Sequence, residues 1–302
     1  VLAQSGKPIR FIVPYAAGGA VDVYARVFAA PMGKHLGRSI IIENAAGGGG
    51  NVGVARVSKS APDGDTLLYH NMAMAVNPSL YKKLDYDPLT DFAHIGVASH
   101  SVMAVVARKD FPPQDMKSLI AYAKANGDKV TFADGGAGGA TNLCALLFMN
   151  AVGVKFTSVS YKGSAPAMND VMGGQVDFLC DGTATAAQPI NAGKVRAIGV
   201  TSRERVHTLP NVPSLHEQGL AGFELRPWTG IYAAPGTPRA VVDRLSAALR
   251  ATLAEKEFVV QLEKLSLLPA TNEQASPAGL QEHLKAEIEK WGAILKKAGI
   301  EQ

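Results

Sequence analysis

The chain has few aromatic residues, no strong charge of either sign, two cysteines and no long apolar run. Phe, Trp and Tyr supply 7% of its 302 residues, and the formal net charge is only +4. Its lysines and arginines are scattered, so no basic stripe exists to follow a phosphate backbone, and no nucleic-acid partner is expected. A membrane helix needs ~18 apolar residues in a row; the longest apolar stretch, Leu143–Val154, is short and interrupted by Asn150. The histidines (His35, His70, His94, His100, His207, His216 and His283) include no His-x-x-x-His pair and no Cys-His ligand spacing. A metal centre is therefore not expected. There is no Gly-x-Ser-x-Gly elbow, and no Gly-Lys-Ser/Thr follows a glycine loop, so serine-hydrolase and P-loop chemistry lack their scaffolds. No nucleophile is paired with a base. Binding is favoured over catalysis, with no cofactor. Cys144 and Cys180 leave two alternatives open: one disulfide in an oxidising compartment, or two buried thiols.

What is abundant is apolar core material (47%) and glycine, 31 residues. At ~100–200 residues per domain the length predicts two domains. Short apolar runs at Ile9–Pro14, Ser39–Glu43 and Thr66–His70 alternate with helical spacing over Ala20–Leu36 and Val52–Ser60. That βαβα rhythm with continuous apolar strands predicts a parallel sheet covered on both faces. The rhythm restarts with a strand at Val102–Arg108. Helices then follow at Ser118–Asn126, Asn142–Val152, Ala165–Gly173 and Ala184–Ala192, between strands at Lys129–Ala133, Thr157–Ser160, Val176–Cys180 and Ala197–Thr201. Arg239–Glu255, Lys256–Leu265 and Pro277–Ala298 read as amphipathic helices, a tail that folds back onto the first unit. The second unit is then an insertion, entered near Ala98–Ala104 and left near Phe223–Trp228.

Three glycine-rich segments each follow a strand and precede a helix: Tyr15–Ala20, Ala46–Gly53 and Gly135–Thr141. A helix N-terminus offers unpaired N–H groups and partial positive charge, and glycine lets a ligand reach them. The Gly48-x-Gly50-x-x-Gly53 match lacks the acidic residue that a dinucleotide site needs about 20 positions on; His70 and Asn71 stand there instead. Asp22 reads as a cap that ties its own loop, while Asp181, at the carboxyl end of a strand, is divided between ligand contact and helix cap. Arg26 and Lys194 read as solvated surface.

The strings Pro14-Tyr15-Ala16-Ala17-Gly18-Gly19 with Asp22 and Ala25-Arg26, Glu43-Asn44 with Gly47 and Gly49-Gly50, and Ala61-Pro62-Asp63-Gly64 carry a resemblance. So do Tyr161-Lys162-Gly163 with Ala165-Pro166-Ala167, Gly173-Gly174-Gln175-Val176-Asp177, Gly193-Lys194-Val195-Arg196-Ala197, Ala234-Pro235-Gly236-Thr237-Pro238 and Lys290-Trp291. In order and over nearly the whole length, they resemble the Bug family, periplasmic solute-binding proteins of tripartite tricarboxylate transporters. The resemblance implies an α/β fold of the type II periplasmic binding protein (Venus flytrap) kind, with two lobes on a two-strand hinge. Residues 1–102 and 226–302 would form the first lobe and 103–225 the second.

It also implies a small carboxylic acid held between the first and third glycine loops, with integral-membrane transporter subunits as partners, a monomeric state and a periplasmic location. The ligand class covers di- and tricarboxylates, aromatic carboxylates and acidic amino acids. The residues expected at the ligand are Tyr15, Ala17, Gly18, Gly19 and Ala20 from one side. Gly136, Ala137, Gly138, Gly139, Ala140 and Thr141 face them, with Asn71, Lys162 and Asp181 at the far end and Trp228 packing at the hinge. Where many members carry a hydroxyl just before the loop aspartate, Ala20-Val21 stands here, which leaves more of the work to backbone N–H groups. Cys144 and Cys180 resemble a subgroup with a Cys in the helix after the third loop and a Cys-Asp after the strand of Val176–Leu179; both would lie near the sheet's carboxyl edge, where one disulfide is geometrically reasonable. The start Val1-Leu2-Ala3-Gln4-Ser5 resembles the residue of a signal-peptidase site, which fits a mature exported chain with its signal peptide removed, or else an arbitrary boundary. A sensor or adaptor for a membrane receptor, and an enzyme on the same scaffold, are the competing functions.

Overall fold

The computed structural model describes residues 6–297, so the reading of the first five residues as a processing site lies outside the described residues. Strands β1 (Ile9–Val13), β2 (Ile40–Asn44) and β3 (Thr66–Asn71) run parallel, joined by α1 (Ala20–Leu36) and α2 (Asn51–Ser58). The short helix α3 (Ala73–Leu80) leads to β4 (Ala93–Ser101), and a single residue, Val102, separates β4 from β5 (Met103–Arg108). The chain then builds α4 (Met116–Asn126), β6 (Thr131–Asp134), α5 (Ala140–Val152), β7 (Thr157–Ser160), α6 (Ser164–Met172), β8 (Phe178–Gly182), α7 (Thr183–Asn191) and β9 (Val195–Val200). It returns on β10 (Trp228–Ala233), followed by α8 (Arg239–Ala254), α9 (Lys256–Glu263), β11 (Leu267–Pro269) and α10 (Pro277–Lys297).

These strands make two sheets, ordered β11-β4-β10-β3-β1-β2 and β7-β6-β8-β5-β9. The expected parallel sheet holds for β1, β2 and β3, but both sheets are mixed. β10 runs antiparallel to both β3 and β4, and β5 antiparallel to both β8 and β9. The misreading has a physical origin. Continuous apolar runs report burial on both faces, and β5, expected from its apolar run, is buried along nearly its whole length whatever its direction. The two crossings lie side by side: Ser101 N–H donates to Pro227 O (2.7 Å), and Leu225 N–H to Thr201 O (3.0 Å). As expected, the tail folds back, α10 packing on α3 and β4 and α8 on α1.

The second sheet is cored by Phe132, Phe148, Phe156 and Phe178, whose ring centroids lie 5.8–6.4 Å apart. Cys144 of α5 and Cys180 of β8 form a disulfide between fully buried positions, which settles the alternatives for the cysteines.

On the first lobe, Glu287 of α10 accepts from the indole N–H of Trp228 (3.1 Å) and Trp291 (2.7 Å) and pairs with Lys290 (2.9 Å). Burial works to raise this carboxyl; Lys290 and the two indoles more than reverse it, so it titrates below the ordinary glutamate range. A lowered folded pKa contributes stability that is fully present above the unfolded value and is lost as pH falls through the folded one. Glu287→Gln is therefore expected to lower Tm at neutral pH and to flatten its fall as pH drops through and below the ordinary glutamate range. A melting series on both proteins checks this; parallel curves would show that Glu287 stores no such stability.

Candidate functional site

Ala17-Gly18-Gly19-Ala20-Val21-Asp22 and Ala137-Gly138-Gly139-Ala140-Thr141-Asn142 build the same loop twice, once per sheet. Gly18 (φ 80°) and Gly138 (φ 77°) take the left-handed conformation that favours glycine. In each case the residue four positions on folds back: Gly18 N–H donates to Asp22 Oδ2 (2.9 Å), and Gly138 N–H to Asn142 Oδ1 (3.1 Å). Asp22 also holds Arg26 through Nε and Nη2 (2.9 and 3.0 Å) and accepts from Asn44 (2.9 Å), so its oxygens are used locally. Its reading as a loop cap holds. Arg26, expected on the surface, is half exposed but tied to Asp22.

The glycine after each turn, Gly19 or Gly139, is the N-cap of α1 or α5 and has no side chain of its own to cap the helix, though Ala20 N–H at the start of α1 donates to Ser164 Oγ (3.4 Å). Gly163 and Gly182 stand in the same position ahead of α6 and α7, again without a side-chain cap, while Thr183 N–H at the start of α7 donates to Val102 O (3.0 Å). All four glycines line one cavity between the sheets. Four helix N-termini thus present their partial positive charge to one space. A side chain would close it: a Cβ on Gly182 collides with Tyr24 Oη, and one on Gly163 comes within 2.8 Å of Ala16 N. About 40 Å³ is open to the centres of water-sized atoms, room for about three waters. The structure is that of a closed cleft. Across it, Ala16 N–H donates to Lys162 O (2.9 Å) and Tyr81 Oη to Ala137 O (3.2 Å).

Of the residues expected at the ligand, Tyr15, Gly19, Ala20, Asn71, Gly139, Ala140, Thr141 and Asp181 line the cavity. Tyr15 Oη donates to Asn71 Oδ1 (3.1 Å), which also accepts from Ala73 N–H (3.0 Å), so this wall is braced from behind. Thr141 Oγ1 accepts from Gly135 N–H (2.7 Å). Ala17 and Gly18 instead lie exposed on the outer side of their loop. Gly136, Ala137 and Gly138 meet the opposite lobe at Gly49, Tyr81 and Asn77 and form the seam. Lys162 has an exposed side chain outside the lining and contributes its carbonyl to the seam. The second glycine loop packs at this seam too, Gly49 against Ala137 O, and does not open on a crevice that could take a dinucleotide.

Several lining groups went unnoticed in the sequence: Tyr24, Ser101, Met103, Gly163, Ser164 and Gly182. For Gly163 and Gly182 a signal existed, since each is a glycine directly between a strand and a helix. Tyr24 offered none, because it reads as one more apolar position of α1. Trp228 lines the cavity where β10 enters the first sheet. Asp181 is 1% exposed; its Oδ1 accepts from Gly182 N–H (2.8 Å) and its Oδ2 from Thr185 Oγ1 (2.6 Å).

Solved structures repeat this architecture. The periplasmic binding protein BugD is 41% identical with a TM-score of 0.93, over 98% of this chain and 99% of that one. MatC of Rhodopseudomonas palustris, solved with bound malate, is 34% identical with a TM-score of 0.91 over 95% and 98%. The R. palustris protein Rpa4515, solved with adipate, is 31% identical with a TM-score of 0.91 over 97% of each chain. The family model for the tripartite tricarboxylate transporter family receptor matches residues 24–300. With that match and the two-lobed cleft, the chain belongs to the tripartite tricarboxylate transporter receptor family, the solute-binding Bug proteins among them.

Proposed function

We propose that this chain is an exported, periplasmic, monomeric receptor that captures a small carboxylate between its lobes. It passes the ligand to the integral-membrane subunits of a tripartite tricarboxylate transporter without chemical turnover. The observation that carries the reading is the meeting of four helix N-termini on one cavity whose lining, among the described residues, contains no Lys, Arg or His. Anion binding then rests on backbone N–H groups and on neutral hydroxyl donors of the lining, Ser101, Ser164 and Tyr24 among them. Each helix end supplies ~0.3–1 kcal/mol, up to ~2 when partly buried, and each charge-assisted hydrogen bond roughly 1.5–3 kcal/mol. Malate and adipate in the related receptors are anions of this kind.

The lobes assigned to this motion are 1–102 with 226–302, and 103–225, turning about the paired crossings at Ser101–Met103 and Thr201–Trp228. Only the closed state brings both glycine loops to the ligand, so binding favours closure. A thermal-shift screen over mono-, di- and tricarboxylates, aromatic carboxylates and acidic amino acids tests this. A ligand at about 100 times its Kd stabilises by ~2.7 kcal/mol, and solution scattering should show a smaller radius of gyration with the hit bound. No hit in the panel, or consumption of the ligand, would overturn the reading.

A further inference from the structure

The two chain crossings stand between two spaces. Ser101 and Met103 line the ligand cavity, while Val102, between them, lines a groove behind the crossing. Alternate residues of an extended chain point to opposite faces, so the crossing is a partition with a front and a rear. The returning crossing divides likewise, Pro227 and Trp228 lining the cavity and Arg226 the groove. Both lobes wall this rear groove, Ser266 and Leu267 from the first and Ser202, Arg205 and Val206 from the second. About 220 Å³ of it is open to the centres of water-sized atoms.

Beside the groove the lobes touch through hydroxyls. Thr208 Oγ1 of the second lobe and Ser266 Oγ of the first share a hydrogen bond. Ser266 is the one non-glycine residue with positive φ (53°) among the described residues. That left-handed conformation is unfavourable for serine and persists where the surroundings enforce it. The same turn is tied to the front. Thr183 Oγ1 donates to Val102 O (3.0 Å) and lies 3.5 Å from Leu265 O, and its neighbour Gly182 lines the ligand cavity.

A rotation about the crossings that widens the front must narrow the rear. Resting on the closure reading above, we propose that the rear groove sets the balance between open and closed cleft, through positioning residues that never touch the ligand. The groove is the space that opening takes up. The Thr208–Ser266 contact is the stop, since two bonded hydroxyls cannot approach further and the Ser266 turn must yield before the lobes part in front. Filling the groove holds the cleft closed, and removing the stop lets it open. Apparent Kd is the intrinsic Kd divided by the closed fraction, so either change acts alike on every ligand.

Spin labels on Lys83→Cys and Lys162→Cys, exposed positions beside the front seam on opposite lobes, read the front distance in the otherwise intact, ligand-free protein. Val206→Trp, which fills the groove, should move the distance distribution toward its shorter population. Thr208→Ala should move it toward the longer one, and Thr208→Ser, which keeps the hydroxyl, should restore it. The two variants push in opposite directions, so one of them moves whichever state the wild type favours at rest. Titrated without labels against malate and adipate, Val206→Trp should tighten and Thr208→Ala weaken whichever probe binds by roughly three- to tenfold, with Thr208→Ser within about twofold of wild type. Distances that respond to a bound ligand but to neither rear variant overturn the proposal while the closure reading stands. Distances that no bound ligand changes overturn both. If neither probe binds, the ligand-free distances decide. Should Val206→Trp not fold, as judged by circular dichroism, Thr208→Ala against Thr208→Ser decides.

Discussion

Gly138→Val is expected to weaken every carboxylate ligand by roughly a hundredfold or more, because it opposes both of the terms that close the cleft. The first is conformational: φ is 77°, and a β-branched residue held in the left-handed region costs ~1–2 kcal/mol. The second is steric. A Cβ on Gly138 collides with Asn77 Oδ1, well inside van der Waals contact, and comes within 3.3 Å of Leu80. Asn77 cannot easily give way, since its Nδ2 donates to Asn51 Oδ1 and Tyr86 Oη (3.2 Å each). Gly138 and Asn77 belong to different lobes, so the clash is relieved by opening the cleft and the lobes still fold. Gly18→Ala is the control. It stands at an equivalent position (φ 80°), but its Cβ would meet only Ala165 at 3.7 Å, so it carries the strain without the collision. Its expected loss is roughly tenfold. Titration of both variants, with circular dichroism to show that they fold, reads the difference. An unchanged Kd for Gly138→Val would refute capture between the two loops.

Removing the disulfide should give the largest loss of stability. The double variant Cys144→Ala, Cys180→Ala frees a loop whose ends are 36 residues apart. Chain entropy puts the loss near 3–4 kcal/mol, or roughly 10 °C in the Tm of a lobe of this size. The bond also ties α5, whose N-terminus lines the cavity, to β8, which ends at Asp181. Some loss of affinity should therefore accompany the loss of stability. Labelling of the unreduced, denatured wild-type protein should find no reactive thiol. Two free thiols, or a double variant as stable as wild type, would remove the bond from the account.

Most elements were legible because they are local. Ala20–Leu36 is a helix by its own spacing and ends at Gly37, in the left-handed conformation suited to a C-cap. Thr157–Ser160 and Met103–Arg108 emerge within a residue of their expected positions. Helix α3 escaped notice because Ala73–Val76 are buried all round and leave no polar face to give it a period. Strand β11, three residues long, is too short to carry a pattern.

The amino-acid sequence by itself determined most of the elements, the two glycine loops and the family, because turn chemistry, helix spacing and motif order are properties of neighbours in the chain. Only the tertiary structure decided strand direction, since burial looks alike in parallel and antiparallel strands. It also decided which residues meet the ligand. Gly163 and Gly182 joined the site, Lys162 turned outward to leave only its carbonyl at the seam, and Tyr24 came to face Asp181. Tyr24 and Asp181 lie 157 positions apart in the sequence, and their meeting depends on how two lobes close, which no local pattern encodes.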